Sequence, residues 1–202
     1  MLHILQKNLK LILSWGVVFA LISIIICLIL PWQYSANTQV LFISSDRTGV
    51  DPYTQSKSAE RIGENISQVM KTTDFYQKVI KNTSFTLNKD VWNNLSERAQ
   101  RKKWNKDVVA SMAYGTSLMN ISVYSKDKKE AVNLANAVAG TLATYGWEYV
   151  GGNVTIKTVS SPLVSLIPAR PNFLLNVIIG FIVGILISGI WVVKYKKHNL
   201  FV

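Results

Sequence analysis

The chain has 202 residues, 22 Lys and Arg against 11 Asp and Glu, and a single cysteine. Two long uncharged apolar runs leave about 140 residues between them, which is the size of one extramembrane domain. One cysteine excludes a framework of internal disulfides. The chain has no recognised nucleic-acid-binding motif, so its basic charge does not indicate a nucleic-acid partner.

The first apolar run, residues 11–30, lies close to the N-terminus. It is longer than the apolar region of a typical signal peptide, and no clear A-x-A cleavage site follows it. Trp32 and Tyr34 come directly after the run, where aromatic rings suit the headgroup layer of a bilayer. We therefore expect a tail over residues 1–10 and an uncleaved membrane helix over residues 11–32.

The second apolar run, Phe173 to Val193, contains 21 residues and no charge. As a helix it would be about 31 Å long, close to the thickness of the hydrocarbon core. We therefore expect a second membrane helix over residues 171–193 and a short tail over residues 194–202.

Basic residues near the runs predict the orientation of the chain. Both tails are basic and lack acidic residues, whereas only Arg170 lies close to a membrane end on the loop side. Positively charged flanks are retained in the cytoplasm. Both termini are therefore expected in the cytoplasm, with residues 33–170 outside the cytoplasmic membrane. The lysines of the tails are Lys7, Lys10, Lys194, Lys196 and Lys197.

The loop between the runs shows alternating strand and helix patterns. A hairpin is expected around Tyr114-Gly115-Thr116, and Asp127 with Glu130 matches a capping box that opens a helix ending at Gly151-Gly152. The remaining expected elements are a strand over 36–45, helices over 54–81 with a break at Thr73-Asp74, a helix over 88–103, hairpin strands over 108–113 and 118–124, a strand over 154–159 and an extended return over 160–170.

This order predicts the fold class. Strand, helices, hairpin, helix and strand form the ferredoxin-like βαββαβ arrangement, with extra helices inserted after the first strand. We therefore predict an α+β membrane protein in which two transmembrane helices flank a ferredoxin-like extracytoplasmic domain.

Catalytic groups are sparse. The two histidines, His3 and His198, lie in the tails, and the loop has neither Cys nor His for a metal or a nucleophile. Glu60 and Glu64 are one helical turn apart, but Lys57 and Arg61 share that surface, which favours a solvated helix face over acid–base catalysis. We predict a protein that is not an enzyme and uses no metal or cofactor.

Basic residues concentrate around Arg101. A solvated helix face is the simpler interpretation, and contact with an acidic glycan or with lipid headgroups is the sharper one. The candidate contact residues are Arg98, Arg101, Lys102, Lys103 and Trp104.

Aromatic side chains of the loop offer a second way to contact sugars. Stacking on a glycan competes with core packing or subunit contact, which we favour for Trp147. The residues concerned are Trp92, Trp104, Trp147 and Tyr149.

Small residues follow one stripe of the second membrane helix. Gly180 and Gly184 form a G-x-x-x-G pattern, and Ser188 lies one turn further on. Such a stripe allows helix backbones to approach closely in lipid. It predicts packing either between the two membrane helices or between subunits, with Gly16-x-x-x-Ala20 as a weaker match in the first helix. Neither helix contains an ionisable residue, which argues against a proton or ion path.

Four parts of the sequence together carry a family resemblance. They are Tyr34 to Ser45, Gly115 to Val123, the helix from Ala131 with Asn133-Leu134-Ala135-Asn136, and the proline-rich return from Pro162 to Asn172. With these parts the chain resembles the Wzz-type chain-length determinants, or polysaccharide co-polymerases, and among them the short Gram-positive capsule-biosynthesis membrane adaptors. Within the return, Pro168, Arg170 and Pro171 fall on the proline segment of the family.

The resemblance implies a non-enzymatic regulator of capsular or exopolysaccharide biosynthesis. Such a protein forms homo-oligomers in the membrane, and its partners are lipids, the polysaccharide polymerase and the growing glycan. The kinase-linked adaptors also imply a cytoplasmic tyrosine kinase, although the tail from Lys194 to Val202 is shorter than theirs. The alternative is a two-span extracytoplasmic sensor or adaptor that signals through a partner such as this kinase.

Overall fold

The computed structural model describes residues 6–44, 51–82, 84–150 and 154–198. Its contacts divide the chain into two compact units. Met1–Trp32 and Arg170–Val202 form the first, which we call the helical unit, and Gln33–Ala169 form the second, which we call the sheet domain.

The helical unit consists of α1, Leu9–Ile29, and α7, Phe173–His198. Leu9–Ile29 and Phe173–Tyr195 are both long and apolar enough to cross a membrane. The two apolar helices predicted from the sequence are therefore present, with α1 beginning slightly earlier and α7 ending later than expected. At one end of the pair, the Trp32 ring meets the Phe173 ring edge to face at 6.1 Å.

The sheet domain is built on four antiparallel strands. They are β1, Tyr34–Ser44; β2, Val108–Met112; β3, Leu118–Ser125; and β4, Val154–Val164. Their order across the sheet is β2-β3-β1-β4, so β1 and β3 occupy the centre. This order confirms the predicted ferredoxin-like arrangement, in which each crossover skips one strand.

One face of the sheet is buried under helices. Inward side chains alternate along the central strands, as expected for a sheet with one covered face. The helices that contribute most to this layer are α2, Pro52–Val69, and α6, Lys128–Tyr145. The buried residues at the alternating positions of the two central strands are Ala36, Thr38, Val40, Phe42, Met119, Ile121 and Val123.

Local capping explains where several helices begin. Asp51 accepts hydrogen bonds from the amides of Tyr53 and Thr54 and so caps α2. Thr72 caps the next helix, α3, Thr73–Lys81, which confirms the predicted break. Asp127 caps α6 through the amide of Lys129, while Glu130 accepts a hydrogen bond from the Ser125 hydroxyl.

The helix predicted over residues 88–103 is wrong as a single element. It is divided into α4, Asp90–Asn93, and α5, Glu97–Asp107. Ser96 between them has an extended backbone at the N-cap of α5, so the helical hydrogen-bond ladder restarts there.

The C-terminal part of the sheet domain also differs from prediction. α6 ends at Tyr145, and a short 3-10 helix, Gly146–Tyr149, follows it directly. Gly151-Gly152, the predicted end, lies outside the described residues. β4 extends to Val164, so the first part of the expected return belongs to the sheet.

Irregular pairing allows β4 to include Pro162. The register between β1 and β4 shifts twice, on either side of Gln39. Proline cannot donate to a strand ladder, and it is tolerated on an edge strand or in a bulge. Ser160 compensates here, since its carbonyl accepts from the Thr38 hydroxyl at 2.7 Å and its hydroxyl accepts from the Gln39 amide at 2.8 Å.

The hairpin between β2 and β3 turns at Gly115, as predicted. Its φ of 69° lies in the left-handed region, where glycine carries no steric penalty. Thr116 supports the turn, since its hydroxyl donates to the carbonyl of Ala113 at 2.8 Å.

An aromatic cluster attaches the inserted helices to the core. Its rings come from α3, α4 and α5 and lie 5.3 to 6.4 Å apart between neighbouring centroids. Trp104 is 1% exposed, and its indole donates to the carbonyl of Met70 at 2.7 Å. The members of the cluster are Phe75, Tyr76, Trp92 and Trp104.

We expect Trp104→Ala to lower the free energy of unfolding of the sheet domain by about 3–5 kcal/mol, because it removes a fully buried ring and leaves the Met70 carbonyl without its donor. Chemical denaturation of the full chain in detergent, followed by fluorescence, measures the effect. Trp147→Ala is the control, because Trp147 is 59% exposed, and we expect its effect within about 0.5 kcal/mol. Equal effects of the two substitutions would contradict the packing role of Trp104.

Candidate functional site

The described residues contain no group of three or more His, Cys, Asp or Glu side chains that could hold a metal ion. The functional candidates are therefore surfaces and helix contacts. Three of them follow from the sequence: the glycine stripe, the basic cluster around Arg101 and the proline segment.

Within the helical unit, the glycine stripe of α7 lies against α1. A Cβ added at Gly184 would lie 2.8 Å from the Phe19 Cβ and the Trp15 carbonyl oxygen. One added at Gly180 would lie 2.8 Å from the Ser23 Cβ. Contacts this short leave no room for a side chain, so the backbones approach because these positions are glycine.

Ser188 continues this contact by one turn. It is buried, and its hydroxyl donates to the carbonyl of Ile185 and lies 3.5 Å from the carbonyl oxygen of Ile12. Gly16 of α1 faces the same contact, where an added Cβ would lie 2.9 Å from the Phe181 ring. Of the two arrangements considered from the sequence, the structure shows these residues between the two helices of one chain.

Polar contacts that the sequence did not suggest add to the pairing of α1 and α7. The Ser23 hydroxyl donates to the carbonyl of Asn176 at 2.8 Å, and the Asn176 amide lies 3.0 Å from the Cys27 sulfur. Cys27 is only 1% exposed. Side-chain hydrogen bonds between apolar helices add specificity to van der Waals contact in lipid.

The basic cluster lies on α5. Arg98, Arg101 and Lys102 are exposed, so they present three positive charges on this helix. Lys103 is held against the domain by an ion pair of 2.5 Å with the buried Asp107, and its ammonium lies 4.5 Å from the centroid of the Trp92 ring. Trp104 does not belong to this surface, because it is buried in the aromatic cluster. The expectation that Trp104 contacts glycan or headgroups is therefore wrong.

The other aromatic candidates for sugar stacking also change with the structure. Trp92 is buried, and Tyr149 packs against Phe75. Trp147, for which we favoured core packing or subunit contact, is largely exposed, and its indole donates to the carbonyl of Thr144 at 2.9 Å. Its exposure contradicts core packing, and subunit contact stays a prediction. Of these four residues, Trp147 alone offers most of its ring to a ligand.

The proline segment spans the boundary between the two units. Pro168 belongs to the sheet domain, and Arg170 and Pro171 belong to the helical unit. The Ala169 amide donates to the carbonyl of Gln33 at 2.8 Å, and the Ser165 amide donates to the carbonyl of Ser35 at the same distance. Within the sheet domain, the return therefore runs beside the residues that precede and begin β1.

Two groups of charged side chains have structural roles. From the sequence pattern alone, they could not be distinguished from charges on a solvent-exposed helix face. Glu60 is buried, receives the Lys57 ammonium at 2.7 Å and lies 3.4 Å from the Gly115 amide. The hydrogen bond from Lys57 is the largest cause that lowers the pKa of Glu60. This carboxylate therefore links α2 to the hairpin turn and is not placed for proton transfer.

The second ionic group joins α3 to the 3-10 helix. The Lys78 ammonium lies 2.5 Å from Glu148 and 3.3 Å from Asp74, and the Tyr149 hydroxyl donates to Asp74. The hydrogen bond with Glu148 is the largest cause that raises the pKa of Lys78. The four-residue spacing could have suggested the pair Asp74–Lys78. It could not have suggested Glu148 and Tyr149, which join the pair from a distant part of the chain.

Taken together, the fold and these contacts define an α+β protein with two long apolar helices that pack against each other. The family described as chain length determinant protein (Wzz) matches residues 1–85. This match confirms the resemblance predicted from the sequence. Chain length determinants are non-catalytic, which agrees with the prediction that the protein is not an enzyme.

Two curated relatives extend the similarity beyond the family match. The capsular polysaccharide type 5 biosynthesis protein of Staphylococcus aureus strain Newman is 22% identical over 192 residues, covering 94% of this chain and 81% of its own length. The type 8 capsule biosynthesis protein of Staphylococcus aureus has the same identity and coverage. The chain is thus a distant relative of staphylococcal capsule biosynthesis proteins over nearly its whole length.

Acidification provides a test of the Glu60 contact. Because the pKa of Glu60 is lowered in the folded state, its stabilising contribution is present above its ordinary value of 4.5 and is lost as pH falls through the lower, folded value. We expect the melting temperature of Glu60→Gln, measured in detergent, to lie below that of the native protein at neutral pH and to converge with it in acid. Glu64→Gln, on the exposed side of α2, is the control. A constant difference at every pH would contradict this expectation.

The helix contact can be tested through the single cysteine. We expect Gly180→Leu and Gly184→Leu to increase the rate at which Cys27 reacts with a maleimide in detergent by roughly tenfold, the effect of destabilising the closed pair by about 1.4 kcal/mol. Ile179→Leu and Val183→Leu have the same spacing on the exposed face and should leave the rate unchanged. A glycine variant that labels as slowly as the native chain would show that the stripe does not hold the helices together.

Proposed function

We propose that this protein is a non-enzymatic regulator of capsular or exopolysaccharide biosynthesis, which controls chain length or export by oligomerising in the membrane and scaffolding the polymerase. The observation that carries the proposal is the match of residues 1–85 to the chain length determinants together with distant similarity to two capsule biosynthesis proteins. The fold supports it, because two apolar helices bracket one α+β domain in the chain.

The proposed organisation follows the predicted orientation. Residues 1–10 and 194–202 lie in the cytoplasm, residues 11–32 and 171–193 cross the cytoplasmic membrane, and residues 33–170 form the extracytoplasmic domain. The polymerase and its lipid-linked substrates share this membrane, so the domain would meet the growing glycan on the side where it emerges. Lipids are direct partners of the exposed apolar faces of α1 and α7.

Homo-oligomerisation needs surfaces other than the glycine stripe, because that stripe already contacts α1. One candidate is an apolar cleft of about 300 Å³ in the helical unit, lined by Trp15, Phe19, Ile187, Ser188 and Trp191. Its two tryptophans are about half exposed. A helix of a neighbouring subunit that filled this cleft would gain the dispersion contacts that drive association in lipid.

The exposed cations of α5 are the proposed contact for an anionic partner. Arg98 and Arg101 are one turn apart, and arginine binds carboxylate and phosphate in a fixed fork geometry. We propose that Arg98, Arg101 and Lys102 bind an acidic glycan or lipid headgroups, with Lys103 held beside them by Asp107. A salt-dependent affinity of the full chain for an acidic polysaccharide would support the glycan arm of this proposal.

The second candidate function is a two-span extracytoplasmic sensor or adaptor that signals through a partner such as a cytoplasmic tyrosine kinase. The arrangement of two membrane helices around one external domain favours it. A kinase that co-purifies with the chain and changes activity with its presence would distinguish this function from length control alone.

The deciding experiment is gel analysis of surface polysaccharide from cells that lack the protein and from cells in which it is restored. We expect deletion to broaden or shift the length distribution and the native chain to restore it. The Gly180→Leu, Gly184→Leu double variant should fail to restore the distribution, because it separates α1 from α7, whereas Ile179→Leu, Val183→Leu should restore it. An unchanged distribution after deletion, with normal export, would overturn the proposed function.

A further inference from the structure

One end of the sheet domain gathers both of its connections to the helical unit. Tyr34 pairs with Ser125 at this end of β1, and Ala36 pairs with Val164 of β4. The hydrogen bond between Ala169 and Gln33 then closes the entry and exit of the chain together. We call this the connection end of the domain.

Three large aliphatic side chains project from the connection end. Leu163, Leu166 and Ile167 are 76%, 87% and 75% exposed, although they lie within five residues of one another. Single exposed aliphatic residues are common on protein surfaces, but a group this exposed indicates a surface that contacts something apolar. We call these three residues the apolar lip.

Basic and aromatic groups lie beside the apolar lip. The Lys128 ammonium donates to the carbonyl of Leu166 at 3.1 Å and lies 4.7 Å from the centroid of the Tyr34 ring. Lys126 and Lys129 are exposed at the same turn, which follows Ser125. Lysine and tyrosine next to aliphatic side chains form the pattern found at the boundary between lipid headgroups and hydrocarbon.

The chain length between the lip and α7 limits how far the lip can be from the membrane. Ile167 precedes Phe173, the first residue of α7, by six positions. A fully extended chain of this length covers at most about 22 Å, and a folded one covers less. The lip is therefore tethered close to the layer in which the apolar helix leaves the hydrocarbon.

We propose that the apolar lip inserts into the headgroup–hydrocarbon boundary of the bilayer, with Lys126, Lys128 and Lys129 at the level of the lipid phosphates. This inference rests on the membrane anchoring in the proposed function. Burial of the three side chains in lipid removes apolar surface from water. The lysines attract anionic headgroups, an interaction that salt weakens. A lip seated in the bilayer would give the sheet domain a further attachment besides its two chain connections to the apolar helices.

The test uses the full chain in vesicles of phosphatidylcholine and phosphatidylglycerol. Cys27→Ala removes the native thiol, and Leu166→Cys or Ile167→Cys then carries an environment-sensitive fluorophore. We expect emission at both positions to shift to shorter wavelength, to be quenched by a lipid spin-labelled near its headgroup and to be protected from iodide. Tyr114→Cys is the matched control, because Tyr114 is 91% exposed in the hairpin turn at the other end of β3. A fluorophore at position 114 should emit at longer wavelength, escape quenching by the spin-labelled lipid and be quenched by iodide.

Two outcomes overturn the proposal. Quenching of position 166 by iodide as strong as at position 114 would show that the lip lies in water. Protection from both quenchers would show that protein covers it, as in contact with a second copy of this chain. Alkaline carbonate extraction of the same vesicles keeps the proposals separate, because a protein released by carbonate is not anchored as the proposed function requires. If the vesicles retain the chain after carbonate extraction but iodide reaches the lip, only the proposal that the lip inserts into the bilayer is disproved.

Discussion

The rest of the sheet domain depends on one constraint, which is that its first and last residues are joined to each other. Gln33 and Ala169 lie far apart in sequence, yet a backbone hydrogen bond joins them, and β1 and β4 extend this pairing into the sheet. Because β1 also pairs with β3, the strand that enters the domain becomes a central strand. The first residues after an apolar helix therefore organise the core, and a change in their register would turn Ala36, Thr38, Val40 and Phe42 out of it.

Close approach plays the corresponding role in the helical unit. An apolar helix gains little from hiding its surface from lipid, so the pair is held by contact distance and by a few polar groups. Gly180 and Gly184 allow the two helix backbones to approach closely, and Ser23 forms a hydrogen bond with Asn176. Because the stripe is used within one chain, the proposed assembly would rely on other surfaces, such as the outward helix faces or the sheet domain.

The strand order and the apolar helices could be predicted because they follow from hydrophobic periodicity and from turn residues such as Gly115. Periodicity failed between residues 88 and 103, where Val91, Leu95 and Ala99 fit one helix but Ser96 restarts the ladder. It also failed for Trp104, since a tryptophan among basic residues resembles a surface group until α3 and α4 are packed against it. The partner of the glycine stripe and the residues around Lys78 depend on tertiary contacts, which local spacing does not contain.

The edges of the sheet differ, and this difference bears on how copies of the domain can be joined. β2 is a short regular strand, whereas β4 is interrupted by two register shifts and by Pro162, which has no amide hydrogen. A regular open edge on both sides would allow copies to add end to end without limit, as in a fibril. With one edge made irregular, continuous sheet extension is blocked along the β4 side. A closed ring of more than two copies would then need side-chain surfaces, where the angle between neighbours is fixed by shape and not by strand pairing.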